Sequence, residues 1–464
     1  MTPKVATTTG RIRGRCGAVH TFLGIPYAAA PFGPHRFQPP RPPTAWRGVR
    51  DCLAFGPIAP QDAELPGAPT WSGDDDVLSL NVWAPPAAHR LPVLVWIHGG
   101  AYTFGSTAQP DYDGTALAAT GLVVVTANYR LGFEGFGHLP AHTDNRGLLD
   151  QIAALRWVRE NITAFGGDPG NVTVAGQSAG AGSAACLLVM PQARGLFRRA
   201  IVHSVPDSYF STDTAAAITA EITTQLGTTP ATAPPQALVA AATAVTGAPR
   251  PDSRRHYDPV LFGPVVDGRT LPAAPLSTVH DTAVDLLVCH TTEEYWLFDA
   301  LDTIKGVETD AQLCAFARAM AIPAAVADRY LALATSPREA YLALFGDVIF
   351  AAHSTRLAEH HARYGGRAHL ARFARRRSGV HAWHGADVPL SFGNLDAADF
   401  LLGGPPDDHD RALSRRMMRA WRDFARTGDP GWPPVTPGET PVRTWATPGD
   451  RLDRAGGEPW RAMR

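Results

Sequence analysis

A serine stands at the centre of a short, glycine-flanked motif near the middle of the chain. Residues 176–180 read GQSAG, and this G-x-S-x-G pattern is typical of a nucleophile elbow, a sharp turn from a β-strand into a helix. Small residues around Ser178 let the backbone fold back without a clash of Cβ atoms. The helix start would present free N–H groups to an anion formed there. Ser178 is therefore a candidate nucleophile, and the alternative is a helix N-cap serine in a glycine-rich turn.

A serine hydroxyl needs a base, and the base needs an acid that orients it. In chains with this elbow the acid follows the serine and the histidine comes last. Both are expected on loops at the carboxyl ends of parallel strands, because those loops converge on one crevice. The run at 286–290 leads to Glu293 and Glu294, and the run at 367–373 leads to His381 and His384. The residues alone leave two candidates for each role.

The tetrahedral intermediate of acyl transfer carries a negative oxygen, so an oxyanion hole is also required. Residues 98–101 read HGGA directly after an apolar run, which matches the HGGG type of oxyanion loop. We expect the backbone N–H groups of Gly100, Ala101 and Ala179 to converge on that oxygen. Removal of one such donor costs roughly 2.7–4 kcal/mol of transition-state stabilisation.

The elements around these motifs alternate between strands and helices. Continuous apolar runs predict buried parallel strands, whereas residues 149–162 and 410–427 have helical spacing. The alternation predicts an α/β fold with a mostly parallel twisted sheet and helices on both faces. We expect residues 1–464 to form one domain, with helical cap segments at about 206–280 and 300–365. The strand-like runs lie at residues 92–97, 121–126, 171–175, 200–204, 286–290 and 367–373.

Composition excludes several classes of function. The 464 residues have a formal net charge of −1 and no basic stripe, which argues against a nucleic-acid partner. The five cysteines include no C-x-x-C pair, so free thiols are expected in place of disulfides or zinc. With no secretory signal and no run of membrane-spanning length, we expect a cytoplasmic protein without a membrane partner.

Other polar clusters have simpler interpretations than metal sites. The aspartates at 74–76 and 407–410 are expected in solvated loops, and Arg375, Arg376 and Arg377 at a solvated strand end. His360 and His361 are expected on a helix face. No metal site and no organic cofactor are predicted.

Motifs along nearly the whole chain resemble the type-B carboxylesterases, the α/β-hydrolase family that includes bacterial para-nitrobenzyl esterases and cholinesterases. The matching segments are 24–28 (GIPYA), 36–37 (RF), 75–83 (DDVLSLNVW), 128–132 (NYRLG), 147–151 (GLLDQ), 165–169 (FGGDP) and 384–393 (HGADVPLSFG). This resemblance implies that Glu294 is the acid and His384 the base. It also implies that Ser204 hydrogen-bonds the acid.

The chain also departs from the family pattern. Ala59 and Val77 stand where the family has an early disulfide, and Gln177 stands where many members have glutamate. Val205 and Cys289 replace family glycines, and Pro206 follows Val205. These changes concern pocket shape and substrate range.

The resemblance implies a serine hydrolase that cleaves small-molecule carboxylic esters through an acyl-enzyme, as a monomer or homodimer. The alternatives are amide or carbamate hydrolysis, thioester cleavage, transacylation, a non-hydrolytic biosynthetic reaction, and a binding protein on the same scaffold. Five aromatic residues are candidates for an apolar pocket: Trp71, Tyr102, Phe104, Trp296 and Trp383.

Overall fold

The computed structural model describes residues 2–63, 70–250, 253–377 and 379–463. The strands are β1 Lys4–Ala6, β2 Arg11–Arg13, β3 His20–Pro26, β4 Val49–Asp51, β5 Ser79–Ala84, β6 Leu91–Ile97, β7 Val123–Ala127, β8 Gly167–Gln177, β9 Arg199–His203, β10 Phe210–Ser211, β11 Val265–Val266, β12 Asp285–Thr291, β13 Ala368–Phe373, β14 Pro441–Trp445 and β15 Arg451–Arg454.

The helices alternate with these strands through most of the chain. They are α1 Thr115–Ala118, α2 Gly132–Phe136, α3 Arg146–Asn161, α4 Ala179–Leu187, α5 Thr212–Leu226, α6 Pro235–Gly247, α7 Arg254–Tyr257, α8 Trp296–Ala300, α9 Asp310–Ala319, α10 Ala324–Leu333, α11 Pro337–Gly346, α12 Ala352–Arg363, α13 Val388–Phe392, α14 Asp399–Leu402 and α15 Asp408–Thr427.

Ten strands form one large sheet in the order β15-β14-β13-β12-β9-β8-β6-β7-β5-β3. The seven from β14 to β7 are parallel, and β15, β5 and β3 pair antiparallel at the edges. This sheet confirms the predicted mostly parallel α/β class. Two short strands, β14 and β15, extend the sheet beyond β13, which corresponds to the last of the strand-like runs in the sequence.

The sheet is buried on both faces, as its apolar strands require. On β6, Val93 and Val95 join one hydrophobic cluster, whereas Leu94 and Trp96 join a second cluster on the opposite face. The second cluster contains the apolar side of α15, including Trp421. A third cluster packs among α9, α10 and α11 and includes Tyr295, Ile349 and Phe350 from the neighbouring segments.

The acidic segment at 407–410 is not a solvated loop. Asp407 caps α15 through the Asp410 N–H at 2.9 Å, and the Asp410 carboxylate is buried against Arg375, with a closest distance of 2.8 Å. The expectation of a solvated strand end is therefore wrong for Arg375, which is 3% exposed. Burial of either charge alone would be costly, and the pairing offsets part of that cost.

Two further predictions concern the histidine pair at 360–361 and the state of the cysteines. His361 is buried on α12, where its Nε2 bonds the Val284 carbonyl at 2.8 Å. The cysteines are free: Cys52, Cys186 and Cys289 are buried, and Cys16 and Cys314 are exposed. Among the described residues, no helix is long and apolar enough to cross a bilayer.

Candidate active site

Ser178 lies at the turn between β8 and α4, at the carboxyl end of the central sheet. Its φ and ψ are 55° and −126°, a conformation that L-residues rarely adopt and that often marks a functional site. A Cβ on Gly176 would lie 2.5 Å from Gly180, and one on Gly180 would lie 2.1 Å from the Ile97 carbonyl oxygen. The small residues therefore permit the elbow, as the sequence predicts.

Glu294 and His384 meet at the carboxyl ends of β12 and β13. His384 Nδ1 lies 2.6 Å from Glu294 Oε2, and both residues are buried. The other Glu294 oxygen, Oε1, accepts hydrogen bonds from the Ser204 hydroxyl at 2.7 Å and from the Thr291 N–H at 2.8 Å. The carboxylate is thus fixed by three donors, an arrangement that holds one histidine tautomer with Nε2 free of that contact.

The alternative pair forms a separate contact beside the first. His381 Nδ1 lies 2.7 Å from Glu293 Oε1, and Arg376 and the Ala382 N–H also donate to the Glu293 carboxylate. Burial disfavours the Glu293 anion, but the His381, Ala382 and Arg376 contacts outweigh it and lower the pKa of Glu293. His381 packs against Trp296, with ring centroids 5.3 Å apart and the rings tilted by 34°.

Backbone hydrogen bonds join the acid loop to the histidine loop. The Glu293 N–H donates to the Ala382 carbonyl at 3.0 Å, and the His384 N–H donates to the Glu294 carbonyl at 3.2 Å. The Ser178 N–H in turn donates to the His203 carbonyl at 2.9 Å. The acid loop and the histidine loop are therefore tied directly to each other, and the elbow is tied to the end of β9.

The HGGA loop after β6 bends sharply beside Ser178. Gly100 has φ of 110° and Ala101 has φ of 50°, and a Cβ on Gly100 would lie 2.0 Å from the Phe104 carbonyl oxygen. Within the described residues, the backbone N–H groups of Gly100, Ala101 and Ala179 have no hydrogen-bond acceptor. All three residues line the same cavity as Ser178, which is the arrangement that oxyanion stabilisation needs.

This cavity has a volume of about 380 Å³ and a mostly apolar wall. Tyr102 and Phe104 are among its described lining residues, as predicted. The other three aromatic candidates are not among the described lining residues. Trp71 stacks on Phe32, Trp383 stacks on Phe400, and Trp296 packs against His381 with its ring tilted. Residues missed by the sequence interpretation line the wall: Pro206, Val260, Leu297, Phe298, Leu301, Ile304, Ile349 and Phe350.

Two rings lie directly against the histidine. The Phe350 and Phe298 ring centroids lie 4.4 Å and 5.4 Å from that of His384. Phe350 belongs to a π-helical turn, Asp347–Ala351, between α11 and α12. Such turns insert one extra residue and occur often at functional sites.

A second buried acid–histidine pair lies beneath the histidine loop. His203 Nδ1 lies 2.5 Å from Asp387 Oδ2, and the Trp421 N–H donates to His203 Nε2 at 3.2 Å. An indole N–H can only donate, so His203 Nε2 accepts from Trp421. The His203 ring proton therefore resides on Nδ1, which donates a hydrogen bond to Asp387. Burial opposes the Asp387 anion, yet His203 outweighs it and lowers the pKa of Asp387. Sequence reasoning missed this pair, since the two residues are 184 positions apart.

The same pair adjoins a thiol. His203, Cys289 and Asp387 bring one potential ligand atom each within 4.8 Å of one another. Burial, followed by Asp387, raises the pKa of Cys289, which keeps the thiol protonated. His203 is bonded on both ring nitrogens and has no free lone pair for a metal, whereas Asp387 Oδ1 is buried without a hydrogen-bond partner among the described residues.

Comparison with known proteins agrees with this architecture. Residues 1–453 match the model of the Carboxylesterase family. The chain is 37% identical to the para-nitrobenzyl esterase of Bacillus subtilis (strain 168), covering 93% of each chain. It is 34% identical to the phenmedipham hydrolase of Pseudarthrobacter oxydans, covering 93% of this chain and 91% of the relative.

Solved structures give the same result. A PNB esterase superposes with a TM-score of 0.90 at 33% identity, covering 100% of this chain and 99% of the other. A carboxylesterase of Geobacillus stearothermophilus gives a TM-score of 0.86 at 34% identity, covering 99% of each. The α/β-hydrolase fold and the family resemblance are thereby confirmed, together with serine hydrolase activity on carboxylic esters. The chain belongs to the carboxylesterase family.

Proposed function

We propose that this esterase uses Ser178 as nucleophile, His384 as general base and Glu294 as the acid that orients it. The observation that carries the proposal is the 2.6 Å contact between Glu294 Oε2 and His384 Nδ1, in a cavity that Ser178 and His384 both line. His384 Nε2 takes the hydroxyl proton as Ser178 attacks the ester carbonyl, then gives it to the leaving alcohol. Water repeats the cycle and releases the acid.

The N–H groups of Gly100, Ala101 and Ala179 stabilise the oxyanion in this proposal. Ser204 holds Glu294 in place through its 2.7 Å hydrogen bond. A mostly apolar cavity of about 380 Å³ favours neutral esters with apolar acyl or alcohol groups. The para-nitrobenzyl esterase name of one relative supports aromatic alcohols among them.

The remaining features of the proposal concern the whole chain. In this proposal residues 1–464 form one domain, and the segments at about 206–280 and 300–365 cover the pocket. Wall residues Val260 and Ile304 from these segments support this. We place the enzyme in the cytoplasm as a monomer or homodimer, in keeping with its five free cysteines.

The test compares hydrolysis of p-nitrophenyl acetate, butyrate and octanoate by matched variants. We expect kcat to fall about a millionfold in Ser178→Ala and His384→Asn, and about 10⁴-fold in Glu294→Gln. The controls Glu293→Gln and His381→Asn change the neighbouring pair in the same way and should lose far less. Equal losses at Glu293 and Glu294 would contradict the assignment of the acid, and full turnover by Ser178→Ala would contradict the nucleophile.

A further inference from the structure

The side chain of Gln177 occupies the reactive face of His384. Its amide Nε2 lies 2.9 Å from His384 Nε2, and Gln177 is 6% exposed. His384 Nδ1 is already engaged by Glu294 at 2.6 Å. Among the described contacts no hydrogen bond joins the Ser178 hydroxyl to His384, so the ring nitrogen assigned to the base is bonded to the residue before the nucleophile.

The surrounding backbone leaves room for this amide. A Cβ on Gly99 would lie 2.8 Å from Gln177 Oε1, and a Cβ on Gly385 would lie 3.6 Å from Gln177 Nε2. Gly99 belongs to the oxyanion loop and Gly385 to the histidine loop. The amide is therefore seated between two glycines, one on each of the loops that the reaction uses.

The chemistry of the contact defines its role. In neutral His384 with the proton on Nδ1, Nε2 carries a lone pair and accepts from the Gln177 N–H. The same lone pair must accept the Ser178 proton when the hydroxyl O–H bond breaks and the Ser178 Oγ–carbon bond forms. Gln177 and Ser178 thus compete for one lone pair.

We propose that Gln177 is the resting partner of the base: its amide caps Nε2 in the empty site and yields that lone pair to Ser178 when substrate enters. Because a donor on the lone pair favours the neutral ring over the imidazolium, the cap and protonation of the base are coupled. This inference rests on the proposed roles of Ser178 and His384. Gln177 is a positioning residue that acts through the base.

Several titratable groups face His384 from the elements around it, and all stay unchanged when only residue 177 is varied. The acid loop contributes Glu293 and Glu294, and the histidine loop contributes His381 and Asp387, with His203 behind Asp387. The cavity wall adds Asp111, Asp258, Tyr102, Tyr257 and Tyr295. Differences in the pH profile among variants at residue 177 can therefore be attributed to the loss or replacement of the Gln177 amide.

The experiment measures the pH profile of kcat/KM for wild type, Gln177→Met and Gln177→Glu with p-nitrophenyl butyrate. Methionine keeps the length of the side chain but has no hydrogen-bond donor, so we expect the midpoint of the acid limb to move to slightly higher pH. Glutamate accepts a hydrogen bond from the protonated ring and stabilises the imidazolium. In Gln177→Glu the midpoint of the acid limb should therefore move to higher pH by about one pH unit or more. A side chain that acted through packing alone would lower kcat and leave the limb in place.

A matched control uses a second buried glutamine. The Gln151 amide donates to Ser183 Oγ on α4 at 3.1 Å, so Gln151→Glu makes the same chemical change without touching His384. Its acid limb should match wild type. If the acid limb of the kcat/KM profile had the same midpoint in wild type, Gln177→Met and Gln177→Glu, the inference would be overturned.

A second readout does not depend on the pH profile. Phenylmethanesulfonyl fluoride, a small sulfonylating agent, should modify Ser178 faster in Gln177→Met than in wild type, because the lone pair is free in the resting site. Equal rates in the folded proteins, checked by circular dichroism, would also overturn the inference. If Ser178→Ala or His384→Asn kept turnover, the proposed function would fail instead, so the two failures are distinguishable.

Discussion

At the scale of single residues, the Glu294 carboxylate depends on two donors besides His384. The Ser204 hydroxyl and the Thr291 N–H both bond Oε1. Ser204 has φ of 52° and is fully buried, a strained conformation that its contacts must maintain. Its side chain therefore contributes to the orientation of the acid.

We predict that Ser204→Ala lowers kcat by roughly 10- to 100-fold, since a hydrogen bond to a charged group contributes about 1.5–3 kcal/mol. The measurement is steady-state hydrolysis of p-nitrophenyl butyrate. Ser211→Ala is the matched control: Ser211 caps α5 on the surface through the Thr214 N–H. That variant should lose about 1 kcal/mol of stability and keep its kcat; an unchanged kcat in Ser204→Ala would remove Ser204 from the account.

The residues of the site were predictable to different degrees. Ser178 and the HGGA loop stand in local motifs whose spacing reflects the backbone geometry they need. The choice of Glu294 over Glu293, and of His384 over His381, came from resemblance, because adjacent carboxylates look alike in sequence. The Gln177 contact was not predictable, since its partner lies 207 positions away.

At the scale of elements, α15 is fastened to the sheet by charge as well as by apolar packing. Its Asp410 carboxylate receives two hydrogen bonds from Arg375, at 2.8 and 2.9 Å. Both side chains are 2–3% exposed. Removal of Arg375 leaves the buried Asp410 carboxylate with only a longer contact to a cation, Arg377 at 3.9 Å, so most of the compensation is lost.

Arg375→Leu should therefore lower the free energy of unfolding by about 3–5 kcal/mol, measured by urea denaturation. Arg411→Leu provides the comparison, because Arg411 lies 4.0 Å from the exposed Asp396 and such surface pairs contribute about 0–1 kcal/mol. Similar losses in the two variants would show that burial of the first pair has no special effect.

Strands and helices with strong local patterns were predicted well. The apolar runs of β6, β7, β8, β9, β12 and β13 have no competing interpretation in a chain of alternating elements. β14 and β15 were missed because neither contains a continuous apolar run: β14 reads PVRTW, and β15 reads RLDR and is mostly exposed. The burial of Asp410 was not predictable, because its partner, Arg375, is brought to it only by the fold.

At the scale of the whole molecule, buried histidines link stability to pH. Burial lowers the pKa of both His98 and His280 to about 4, from an ordinary value of about 6.5. Between these two values the unfolded chain binds protons that the folded protein does not. The free energy of unfolding therefore falls as the pH falls through this window.

We predict that the urea midpoint decreases steadily from pH 7 to pH 5. His280→Gln should reduce the slope, because it removes one of the protons taken up on unfolding. A midpoint that stays constant across this range, in wild type and variant alike, would contradict the burial of neutral histidines.

The proposed mechanism requires transfer of an acyl group to Ser178, and intact-protein mass spectrometry during p-nitrophenyl butyrate turnover detects that transfer. Acid quenching within the first turnover, followed by peptide mapping, identifies the acylated residue. The account predicts one butyryl group, located on Ser178, together with a burst of p-nitrophenol of about one equivalent per enzyme. A butyryl group on any other residue, or turnover with neither adduct nor burst, would contradict it.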